Sequence, residues 1–124
     1  MSNDAKDSAT AFLRLVTANR IREAYERFVA PNFRHHNPWF RGDAAALMAG
    51  MEENGEQAPN KIFEIKQAIQ EGDRVAVHSH LRMKAGDTGM AVVHIFRFEG
   101  DRIAEFWDLG MQIPEDSVNE NGMF

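Results

Sequence analysis

The chain of 124 residues has no cysteine, which excludes disulfides, thiolate metal sites and a cysteine nucleophile. It has no apolar run approaching the roughly 20 residues that a membrane-spanning helix needs, so no membrane partner is expected. Its opening stretch, "MSNDAKDSAT", lacks the basic-then-apolar pattern of a secretory signal, and a cytoplasmic location is expected. Basic residues form no cluster and the formal net charge is -5, which argues against nucleic acid as the main partner. Low-complexity segments and internal repeats are missing as well. What remains is ordinary for a globular chain, 44% hydrophobic and 27% charged. The length suits one domain, 1–124, with a real core, and is too short for two.

Helical spacing dominates the first half. Ala5, Ala9, Phe12, Leu13 and Val16 make one apolar stripe, with Asn3 or Asp4 available as a cap. Ile21, Ala24, Tyr25 and Phe28 make a second on a short helix that must end before Pro31. After an irregular stretch, Asp43 can cap a third helix carrying Leu47, Met48 and Met51, which stops near Gly55. None of these helices can bury its apolar face alone. The second half supplies a sheet: "KIFEIKQAIQ", "RVAVHSHLRMK", "MAVVHIFRF" and "RIAEFWDLGMQI" read as consecutive strands separated by short Gly-Asp turns. The expected fold class is α+β, three helices packed on a curved, mainly antiparallel sheet.

The strand "RVAVHSHLRMK" has two unlike faces. Val75, Val77, Leu81 and Met83 fall on one side with Ser79 among them; His78 and His80 fall on the other. If Asp87 is the centre of the following turn, His80 opposes His94 and His78 opposes Phe96. That arrangement gathers three of the five histidines on a face shared with Met90, Val92, Phe96 and Phe98. So apolar a setting implies enclosure. The opposite face would carry Val75, Val77, Leu81, Val93 and Ile95, and covering it calls for a homodimer through the sheet. On the last strand either Trp107 or Asp108 can oppose His94, depending on whether the Glu99-Gly100-Asp101 turn is tight or bulged. The tail is polar up to Met123 and Phe124, which can dock on the domain or on a second subunit.

Three segments carry a family resemblance. "FRHHNP" (Phe33 to Pro38), "HIFRFEGDRIAEFWD" (His94 to Asp108) and the terminal "NENGMF" resemble SnoaL-like proteins, the polyketide cyclase and aldol-condensation group of the nuclear-transport-factor-2-like superfamily. The resemblance implies a cone-shaped α+β fold whose pocket opens between sheet and helices. It implies that Asp108 is the acid/base, and it turns Asp108 inward with His78, His80 and His94. It places His36 and Asn37 at the pocket mouth, with Trp39 and Phe40 as apolar walls, and His35 toward solvent. Two positions depart from the pattern: Phe106 stands where the family has histidine, and His94 where it has a strand aspartate.

The expected activity is that of a cofactor-independent lyase or isomerase handling protons next to a carbonyl. Asp108 would abstract the proton, and His94 or His80 would steady the enolate oxygen. Phe63, Phe96, Phe98 and Phe106 would exclude water around them. The expected ligand is a small apolar carbonyl compound. Two alternatives stand beside this: the same pocket binding a ligand without turnover, and a metal site built from His78, His80, His94 and Asp108.

Overall fold

The structure, a computed structural model, describes residues 4–124, with the side chain of Asp4 left aside. The cap expected at Asn3 or Asp4 therefore lies outside the described residues. The described residues form α1 (Asp4–Thr17), α2 (Ile21–Phe28), β1 (Val29–His35), α3 (Ala44–Gln57), β2 (Ile62–Glu71), β3 (Arg74–Arg82), β4 (Met90–Glu99) and β5 (Arg102–Gln112). The five strands make one open sheet in the order β1-β5-β4-β3-β2. The fold is α+β, with three helices against a mainly antiparallel sheet.

Each helix is where its stripe demands. Ala9, Phe12, Leu13 and Val16 of α1 are buried, and Ile21, Ala24 and Tyr25 of α2 join them. Asn19 takes a left-handed backbone (φ 65°) between α1 and α2, a conformation asparagine tolerates better than most residues. Asp43 caps α3, its side chain accepting from the Ala46 N–H at 2.8 Å. That helix runs two residues beyond Gly55, to Gln57. Phe12 sits at the centre of the core, 5.6 Å from the Tyr25 ring and 6.1 Å from both Phe96 and Phe106.

The stretch after α2 is not irregular. Val29–His35 is an edge strand, β1, running parallel to β5. Pro31 is tolerated there because an edge strand can spare an N–H from the ladder.

The β3–β4 register differs from the expected one. Val77 opposes His94, His78 opposes Val93, and His80 opposes Ala91. The turn is centred on Ala85 and Gly86, with the Asp87 N–H donating to the Lys84 carbonyl at 3.3 Å. An odd-residue displacement exchanges the faces of a whole strand. His94 accordingly shares the inner, helix-covered face with Val75, Val77, Ser79 and Leu81, while His78 and His80 lie on the outer face.

At the next hairpin the bulged alternative is the observed one. Gly100 and Asp101 form a tight loop, but the register shifts between Arg97 and Phe98, so His94 opposes Asp108. Phe106 and Asp108 thus share the inner face with His94. Glu105, Trp107 and Leu109 point outward.

Candidate functional site

The inner face and the helices bound a cavity of about 620 Å³. His36, Asn37, Trp39, Phe63, His94 and Asp108, all singled out in the sequence, line it. Phe96 and Phe106 do not: both are fully buried in the core beneath the cavity wall. Phe98 is likewise a core residue.

Asp108 is the polar centre. Its Oδ1 lies 3.4 Å from His94 Nε2, and its Oδ2 accepts from the Asn37 amide at 2.9 Å. Burial pushes the Asp108 carboxyl up, but the bond and charge of His94, with the Asn37 amide, outweigh it. The net result is an acid stronger than the ordinary 3.8, ionised at neutral pH. Tyr25 feels the same carboxylate: burial first, then the charge of Asp108, raises its phenol, so it stays protonated. The Phe106 ring stacks on His94 at 5.5 Å. His94 Nδ1 and the Ser79 hydroxyl, diagonal neighbours on the inner face of β3 and β4, are buried without a hydrogen-bond partner among the described residues.

Asn37 is held by the loop around it. His35 is buried, not solvent-facing: its Nδ1 accepts from the Asn37 N–H at 3.1 Å and its Nε2 donates to the Arg41 carbonyl at 2.5 Å. The Trp39 N–H donates back to Asn37 Oδ1 at 3.0 Å. Phe40 pins the far limb on α3, where a Cβ at Gly50 would overlap its ring. Trp39 itself is 84% exposed at the rim.

His36 ties this loop to the outer face of β5. Its N–H donates to the Phe106 carbonyl at 2.9 Å, its ring stacks on Trp107 at 5.0 Å, and its Nε2 meets Glu105 at 2.7 Å. Glu105 also receives Arg34 at 3.1 Å and Arg97 at 3.0 Å. These partners, His36 foremost, hold the Glu105 carboxyl down at about 2.

His78 and His80 are not in the cavity. On the outer face His80 donates to the Thr88 carbonyl at 2.7 Å, and His78 receives the Gln67 amide at 3.1 Å. Phe124 stacks on His80 at 4.7 Å and lies 5.2 Å from His78, so the tail docks on its own domain. The shifted turn is the cause. It also disperses the alternative metal set, because His78 and His80 cannot converge with His94 and Asp108 through the sheet. No group of three or more metal-ligating side chains occurs among the described residues.

Sequence reading overlooked Lys61 and Asn54, which line the same cavity. Lys61 precedes Phe63 by two residues, and strand alternation alone would have turned it inward.

A small α+β protein with a largely apolar cavity and, among the described residues, one carboxylate in it defines a class of pocket proteins. The chain belongs to the SnoaL-like domain family, whose model matches residues 9–106. Similar solved structures include a candidate polyketide cyclase from Acidithiobacillus ferrooxidans, at 22% identity and TM-score 0.71, covering 89% of each chain. A SnoaL-like protein of unknown function from Burkholderia thailandensis has 16% identity and TM-score 0.72, covering 90% of this chain and 98% of that one. A candidate isomerase of the SnoaL-like family from Agrobacterium tumefaciens has 15% identity and TM-score 0.71, covering 86% and 97%. At these identities the likeness is one of fold. No curated protein matches the chain.

Proposed function

We propose that the chain is an acid–base enzyme acting on a small apolar carbonyl compound with its own side chains, in the manner of a lyase or isomerase. The observation that supports this is the Asp108 carboxylate at the cavity wall, held by His94 and Asn37 with its side chain 28% exposed. Ionised and oriented, it can take a proton from the carbon next to a carbonyl. The resulting enolate would draw on His94 as donor, and the proton would return from Asp108 to the product. His80, on the outer face, has no part in this.

The test is deuterium exchange into apolar ketones followed by proton NMR. Exchange catalysed by the wild type should fall at least about 100-fold in Asp108→Asn, the low end of what a general base contributes. Undiminished exchange in a folded Asp108→Asn protein would remove the assignment.

Binding without turnover is favoured by one observation: the partners of Asp108 lower its basicity. It predicts ligand-induced stabilisation with no exchange in any ketone bound.

The outer face supports a second copy of the chain as partner. Val93 and Ile95 lie there beside Leu109, Met111 and Ile69, which are 57%, 56% and 61% exposed. Sedimentation should show a dimer that Met111→Arg, a change outside the cavity lining, dissociates; a monomeric wild type would count against the pairing.

A further inference from the structure

The cavity carries a charge that the mechanism leaves unused. Among the described residues, Lys61 is the one lysine or arginine lining the cavity, and Asp108 the one carboxylate. Asp108 is already engaged by His94 and Asn37. Lys61 has only a neutral partner: its Nζ donates to Asn54 Oδ1 at 2.5 Å. Among the described residues no carboxylate oxygen lies within 4.0 Å of it.

The position of Lys61 gives this meaning. It stands at the entry to β2, between the α3 side chain Asn54 and the inward Phe63. Half-removed from water, its ammonium has lost hydration that a neutral amide only partly replaces. Partial burial lowers its pKa accordingly. An anion brought to this point would gain a charge-assisted bond in a partly dry setting, where such bonds are worth most. The rest of the wall, with Leu13, Val16, Phe63, Leu81, Met90 and Val92, accepts an apolar body.

We propose that the cavity takes an apolar carboxylic acid, its carboxylate paired with Lys61 and its hydrocarbon body laid along the apolar wall. This rests on the pocket reading above and narrows it: the carbonyl compound is a keto acid, with its acid group at Lys61 and its ketone toward Asp108. A lone carboxylate of the protein's own is not positioned to compete, so the site selects for a ligand bearing one. Lys61 is a specificity group and takes no part in the proton transfer.

The probes are 4-benzoylbutyrate and its methyl ester, which share a ring and a ketone and differ in charge. Titration calorimetry near pH 7 should show the acid binding at least about tenfold tighter than the ester, the equivalent of about 1.4 kcal/mol. Lys61→Met should abolish that difference, and Lys61→Arg should largely keep it. Thermal unfolding verifies that each variant is folded. Equal binding of acid and ester to the wild type would overturn the proposal and leave the pocket standing. A preference for the acid that persists in Lys61→Met would overturn it too, by moving the anion elsewhere. Binding of neither probe would count against both the keto-acid assignment and the carbonyl-ligand reading.

Discussion

His94 and Asp108 face each other across the β4–β5 ladder, Nε2 3.4 Å from Oδ1, with the Phe106 ring stacked on the imidazole and Asn37 closing the other carboxylate oxygen. Two opposed effects meet in that contact. Burial favours the neutral acid, while the imidazole and the amide favour the ion, and the second pair prevails. The carboxylate is therefore available as a base at neutral pH and is a modest one, so its rate advantage must come from orientation more than from basicity.

Removing His94 should expose the burial effect. In His94→Phe the ring stack can persist but the bond and charge are lost, so the Asp108 pKa should rise from its wild-type position. Carboxyl carbon NMR across an acid titration would measure it. In the wild type the acid limb of any activity due to Asp108 should lie below 3.8, because its folded pKa is depressed.

Glu105 sets an acid-stability window. Its folded pKa of about 2 lies below the ordinary 4.5, so its contribution is fully present above 4.5 and lost as pH falls toward 2. Urea unfolding at successive pH values should show a steeper loss across that window for the wild type than for Glu105→Gln. Equal slopes would mean that the Arg34, Arg97 and His36 contacts do not persist in solution.

Ser79 is fully buried and its hydroxyl has no partner among the described residues. A desolvated, unpaired hydroxyl costs about 1 kcal/mol or more. Ser79→Ala should therefore raise stability by about 1 kcal/mol in denaturant melts. A drop of that size would show that the hydroxyl is bonded in solution.

Phe12 joins helix to sheet through Tyr25, Phe96 and Phe106. Phe12→Ala should destabilise by about 3–5 kcal/mol, as large-to-small changes at such sites do. Chemical denaturation reads this directly.

Much of the fold was legible because it rests on local periodicity. The stripe of α1, the Asp43 cap and the Gly-Asp turns each follow from a few neighbouring residues. The β1 strand was not legible, since Pro31 and the polar run after it resemble a loop until β5 is alongside. Site membership depended on something finer. His36, Asn37, Trp39, Phe63, His94 and Asp108 could be placed from the family pattern and strand alternation. His78 and His80 could not, because their facing hangs on where a seven-residue connection, 83–89, turns. Gly86 and Gly89 both have positive φ there, and either side of Asp87 was open to the bend.

The alternation along β5 has one more implication. Glu105 and Trp107 grip His36 from outside, while Phe106 and Asp108 look inward, and Asn37 follows His36 directly in the chain. Four successive residues thus serve two surfaces at once. A change on the exterior of this strand would therefore be felt inside as a misaligned carboxylate.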